Sequence, residues 1–181
     1  DLAKRSLLAG KHVVVEKPMT DSTAQAAELV ALARQNQCVL QVGHVERFNP
    51  VFKYLVSVAT KPRFIETHRL SPYPARSTDM GVVLDLMIHD LDIVLSIVPA
   101  AVASIEAVGV PVLTGRVDIA NARLRFENGC IVNLTASRIS RDRVRKIRFF
   151  QPDAYLSIDY PGQEVERYRS GRSAAVRPGV E

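Results

Sequence analysis

The sequence predicts an α/β protein in two parts. Residues 1–46 read as the closing strands of a doubly wound domain, and residues 47–181 as an α+β domain built on a largely antiparallel open sheet. Three observations carry this. The chain opens helix, strand, helix, strand, the rhythm of a parallel sheet covered by helices. Beyond about Lys61 the helical pattern thins and strand-like alternation takes over. Within that second part, Glu127-Asn128-Gly129 separates two alternating runs, a strong hairpin signal.

Taken in order, DLAKRSLLAG has helical spacing and closes on Gly10 in the place of a helix C-cap. The β-branched run Val13 to Val15 reads as a buried strand of a parallel sheet. DSTAQAAELVALARQNQ is an amphipathic helix with Asp21 or Ser22 as N-cap, and CVLQVGHV a second buried strand. NPVFKYLVSVA is helical, with Pro50 at an early position. PRFIETHRLS is then a strand, VVLDLMIHDLDIVL a helix and ASIEAVGV a strand. VDIANARLRFENGCIVNLTASRI forms the hairpin, RKIRFFQPDAYLSIDYP continues as strand, and the tail from about Gly171 reads as loose and disordered.

The composition, 47% hydrophobic and 24% charged over 181 residues, is that of a globular chain long enough for one or two cores. No apolar run reaches the ~20 residues that span a bilayer. No basic-then-apolar leader opens the chain, so no membrane partner and a cytoplasmic location are expected. Cys38 and Cys130 lie far apart in apolar surroundings and read as reduced core residues rather than a metal site. The net charge of +5 is concentrated in RISRDRVRKIR. As a strand this segment would put Arg141, Arg143 and Arg145 on one side. Neither interleaved aromatics nor a groove-reading helix accompanies it, so nucleic acid is not an expected partner. A solvated face, an oligomer contact or a grip on an anionic group remain open.

On a regular helix, Asp85, His89 and Asp92 share one face and Asp90 points to solvent. Such a stripe beside a core is either a satisfied carboxylate–imidazole pair or an acid/base pair facing a cleft. His44, beside Gly43 at a strand end, is a ligand contact or a plain loop residue, and His12 and His68 have no evident partner. No second histidine pair completes a metal site, so no metal is expected. The sequence has no G-x-G-x-x-G, and no two glycines stand one residue apart. The first part is therefore expected to be the end of a nucleotide-binding domain that begins outside this chain.

GKHVVVEKPMT, VGHVERFNP and GVVLDLMIHDLDIV, in that order, resemble the Gfo/Idh/MocA oxidoreductases over roughly residues 1–160. The resemblance implies a Rossmann-type first domain and a second domain whose sheet mediates homo-oligomerisation. It implies NAD or NADP as cofactor and a sugar or nucleotide-sugar substrate. Lys17, Asp85 and His89 match the family's catalytic residues, which also contact substrate. Glu16, Lys17 and Pro18 match the loop that approaches the nicotinamide. Arg47 matches a position near the cofactor and Asn49 one near the substrate. GHVERFNP is most similar to members that oxidise the 3-hydroxyl of a UDP-N-acetylhexosamine, in which case the Arg138–Arg148 cluster would meet the diphosphate.

Chemistry agrees with these assignments. An imidazole titrates near neutral pH and suits a general base, and a carboxylate one turn away can orient it. A lysine ammonium can stabilise negative charge developing on the reacting oxygen. An alternative of a different class is a non-catalytic assembly module or pseudo-enzyme that uses its antiparallel sheet for dimerisation.

Overall fold

A computed structural model of the chain describes residues 1–73, 79–169 and 172–176. Its contacts divide the chain into two compact units, Asp1–Val45 and Glu46–Glu181.

In the first unit, α1 (Leu2–Leu8) ends where Gly10 adopts a left-handed φ of +67°. The N–H groups of Gly10 and Lys11 then reach back to the carbonyls of Leu7 (3.0 Å) and Ser6 (2.9 Å), closing the helix as a Schellman motif does. Strand β1 (Val13–Val15) leads through a loop to α2 (Thr23–Gln35). Ser22, not Asp21, is the N-cap of α2, accepting the Gln25 N–H at 3.3 Å. Strand β2 (Leu40–Val42) lies parallel to β1, with Val15 opposite Val42. Val13 and Leu40 pack on a cluster of Leu7, Leu29 and Ala33. The run expected to be buried on both faces is covered on one, because both helices of this unit lie against the same side. Val14, on the other side, is 77% exposed. His12 gains a partner that the sequence does not suggest: its Nδ1 accepts the Val39 N–H at 2.9 Å and ties the two strand starts together.

In the second unit a 3₁₀ turn (Val45–Phe48) ends at Asn49, whose Oδ1 accepts the Val51 N–H at 3.0 Å and caps α3 (Pro50–Val58). Pro50 occupies the first turn, where a missing N–H costs nothing. Then follow β3 (Phe64–Leu70), a π-turn (Val83–Met87) running into α4 (Ile88–Ile97), and β4 (Val102–Val110). Strands β5 (Ile119–Phe126) and β6 (Ile131–Ser137) form the expected hairpin. Its turn uses Gly129 at φ +83° and the Asn128 side chain, which accepts the Cys130 N–H. Strands β7 (Val144–Gln151), β8 (Ala154–Asp159), β9 (Glu164–Arg169) and β10 (Arg172–Val176) complete the set.

The sheet order is β10-β9-β8-β7-β3-β6-β5-β4, and β3–β6 is its one parallel pairing. The disordered tail is corrected over Arg172–Val176, which pairs antiparallel with β9; backbone pairing at a sheet edge supplies order without a hydrophobic pattern. The rest of that tail, Gly171 and 177–181, lies outside the described residues. One face of the sheet is buried, joining Ile65, Leu134, Phe149 and Leu156 to Leu55 of α3 and Ile93 of α4 in a single core. Its opposite face carries an aromatic row, Phe64–Phe150–Tyr155–Tyr168, with ring centroids 5.7, 5.1 and 5.6 Å apart. No helix among the described residues is long and apolar enough to cross a membrane.

Candidate active site

Two groups of residues matter, one in each unit. In the first, parallel pairing puts the C-terminal ends of β1 and β2 at one edge, where open α/β sheets place their ligands. Glu16, Lys17 and Pro18 leave β1 there, and Gly43 and His44 leave β2. The Gly43 N–H donates to the Val15 carbonyl at 2.8 Å, and the Lys17–Pro18 bond is cis. A Cβ at Gly43 would come within 2.9 Å of Glu16 Oε2, so this glycine lets the Glu16 side chain lie against the backbone of the second loop. Lys17, Pro18 and His44 are half-buried, and Glu16 is exposed.

In the second unit, Asp85 sits in the π-turn and His89 in the first turn of α4, both half-buried. The π-turn corrects the face assignment made on a regular helix. The Ile88 N–H bonds to the carbonyl of Val83, five residues back, which inserts one residue into the turn and rolls everything downstream by about 100°. Asp90, expected in solvent, is 2% exposed. Arg69 of β3 donates to its Oδ1 from Nε at 3.0 Å and from Nη2 at 2.7 Å. Burial pushes the Asp90 carboxyl up, and Arg69 pulls against that shift. Burial also works against the Arg69 charge, which Asp90 and then Glu46 more than restore. Tyr160 packs beside this group, and burial pushes its phenol far up, so that it stays neutral.

Asp92, expected on the shared face without a defined role, is gripped by Arg47, whose Nε and Nη2 donate to its two oxygens at 2.8 and 2.6 Å. Arg47, expected near the cofactor, thus spends its fork on a carboxylate of α4, and Asn49, expected near substrate, spends its side-chain oxygen on the cap of α3. Both ion pairs join residues far apart in sequence, so no local pattern signals them.

The basic segment divides in the same way. Strand β7 begins at Val144, so Arg141 and Arg143 precede it and the expected three-arginine strand face does not form. Arg138 is fully buried. It donates to the Met80 carbonyl and, at 3.3 Å, to that of Val117, and its Nε lies 3.6 Å from Asp118 Oδ1. Asp118 is buried too, and burial alone would raise its carboxyl. The N–H groups of Val112, Thr114 and Leu113 and the Thr114 hydroxyl hold it far below the ordinary carboxylate range. The same loop anchors the helix that carries Asp85, since the Val82 N–H donates to Val117 O at 2.9 Å. Sequence reasoning missed Asp118, and it placed Arg138 in a cluster expected to meet a diphosphate, whereas here its side chain is buried. Among the described residues no cluster of His, Cys, Asp and Glu could hold a metal ion.

The fold is that of an α/β oxidoreductase, and comparison with known proteins makes the class specific. Residues 1–44 match a family described as oxidoreductases with an NAD-binding Rossmann fold, and residues 59–153 match the GFO/IDH/MocA C-terminal domain. The chain belongs to the Gfo/Idh/MocA oxidoreductase family. It is 38% identical over 180 residues to UDP-N-acetylglucosamine 3-dehydrogenase of Acidithiobacillus ferrooxidans, covering 99% of this chain and 57% of that protein. A crystal structure of that enzyme superposes with a TM-score of 0.93 at 37% identity, over 99% of this chain and 60% of that one. An inositol dehydrogenase homologue of Azotobacter vinelandii, complexed with NADH and myo-inositol, shares the fold at 16% identity. Its TM-score is 0.90, over 99% of this chain and 53% of that one. The chain therefore spans somewhat over half the length of these relatives.

Proposed function

We propose that the protein is a dehydrogenase using NAD or NADP, and that its substrate is the 3-hydroxyl of a UDP-N-acetylhexosamine. One observation carries this reading: the π-turn rolls His89, one turn after Asp85, off the core stripe, while Asp90 and Asp92 of the same helix are held by Arg69 and Arg47. The 38%-identical relative, named for that activity, supports the substrate class. Glu16, Lys17 and Pro18 fit the nicotinamide end of a dinucleotide, because they stand at the strand-end edge where open α/β sheets place their ligands. When bound, the nicotinamide supplies the hydride acceptor. His89 takes the hydroxyl proton, Asp85 orients the imidazole and stabilises its charged form, and Lys17 stabilises negative charge on the reacting oxygen.

The reading is placed in the cytoplasm. It also includes self-association with a second copy through the open sheet face, where the row from Phe64 to Tyr168 offers aromatic surface. In the full-length protein, Lys17→Ala and His89→Ala should each abolish NAD reduction with UDP-N-acetylglucosamine while the circular dichroism spectrum stays that of the parent. Wild-type turnover in both variants would falsify the assignment. Free N-acetylglucosamine should be a much poorer substrate than its UDP form, because the distant nucleotide contributes binding energy to the reacting centre. Equal kcat/KM for the two would remove the nucleotide-sugar part of the reading.

A further inference from the structure

The buried face of the segment that carries the site runs through Val82, Met87, Asp90, Ile93, Val94 and Val98. Its first step is five residues, the step of an i→i+5 turn; from Met87 onward the positions keep ordinary helical spacing. Continued without the insertion, the stripe from Val82 would take in Leu86, His89, Ile93 and Ile97 and turn Asp90 outward. Both stripes are mostly apolar, so hydrophobic burial alone distinguishes them weakly. A different interaction has to set the roll of the helix.

We infer that the pairs Arg69–Asp90 and Arg47–Asp92 form a phase lock that holds this helix in the rolled register and so keeps His89 off the core stripe. Arg69 and Asp90 each have 3% of their side chain exposed. If the helix slipped back to regular winding, Asp90 would leave and buried Arg69 would keep only the longer contact to Glu46, at 3.5 Å, as a counter-charge. That is the costly way to break a buried pair. Fixing register is the best-attested use of buried polar groups. The second pair acts on the same helix from another element, since Arg47 lies in the 3₁₀ turn before α3 and Arg69 in the sheet. The two are linked: Glu46, next to Arg47, brings its Oε1 to 3.5 Å from Arg69 Nη1. Arg47, Arg69, Asp90 and Asp92 are on this view positioning residues that act through α4. The consequence for catalysis rests on the reading of His89 given above; the lock itself concerns helix register and is measurable without turnover.

The test combines hydrogen exchange of the amides from 83 to 97 with NAD reduction in the full-length protein, for Arg47→Ala, Arg69→Gln and the swap Arg47→Asp with Asp92→Arg. Arg47→Ala should speed exchange through this segment by about tenfold or more and leave the sheet unchanged. It should lower kcat by about tenfold while KM for NAD stays within about twofold, and the swap should restore both exchange and kcat. Arg69→Gln should do the same more strongly; if it does not fold, the Arg47 pair, whose arginine is half exposed, still decides the matter. Unchanged exchange in Arg47→Ala overturns the lock, whatever the activity. A raised KM for NAD that the swap does not repair makes Arg47 a cofactor contact and overturns its positioning role. Faster exchange with no NAD reduction even in the parent protein supports the lock and removes the dehydrogenase reading.

Discussion

In the first unit a pair of short parallel strands rests on Leu7, Leu29 and Ala33, while Val14 and Val39 stand in solvent. In the second, an eight-stranded sheet buries Ile65, Leu134, Phe149 and Leu156 with residues of α3 and α4 in one core. Lys17 is carried by a loop between elements that bury little, and His89 by a helix fixed through a large core and two ion pairs. Substitutions can probe each unit separately.

The largest difference should come from the cores. Phe149→Ala, at a site with no solvent exposure, is expected to cost about 3–5 kcal/mol. Leu29→Ala, in the smaller cluster, should fall at the low end for such truncations, about 2 kcal/mol. Midpoints of denaturant unfolding give both values, and equal losses would remove the contrast. A second probe is pH. The Asp118 carboxyl is held below its ordinary value in the fold. Its contribution is therefore present above the unfolded-state value of about 3.9 and is lost as pH falls through and below it. Thermal melts taken from neutral to acid pH should show an acid limb that flattens in Asp118→Asn; an unaltered limb would assign the acid sensitivity elsewhere. The smallest effects should be alike in the two units. Ser22→Ala and Asn49→Ala each remove one side-chain cap, of α2 and α3, and each should cost about 1 kcal/mol. A much larger loss at Asn49 would show that its side chain does more than cap.

What could be read in the sequence was mostly short-range. Gly10, Ser22, Pro50 and the Asn128-Gly129 turn mark element ends through backbone conformation and capping, which depend on a few neighbouring residues. Alternation placed the antiparallel strands for the same reason. The position of β3 was not legible, because it pairs parallel with β6, more than sixty residues on, and only the assembled sheet specifies that. Nor was the burial of Arg138, whose partners Met80 and Asp118 come from two separate loops. Of the proposed site residues, Asp85 and His89 stood out through type and spacing, and Lys17 only through the family resemblance of its segment. The roll of the helix did not, since a π-turn leaves no composition signature in VLDLM and its consequence, a buried Asp90, depends on Arg69 twenty-one residues upstream.

The central claim is that this rolled helix presents His89 as the base of a dehydrogenase. Its most direct measurement is NADH formation from NAD and UDP-N-acetylglucosamine by the full-length protein and by its His89→Gln variant, which keeps the size and polarity of the site. The account requires measurable turnover in the parent and a loss of about a hundredfold or more in kcat for the variant, with unfolding midpoints alike. Turnover in His89→Gln at the parental rate would contradict it.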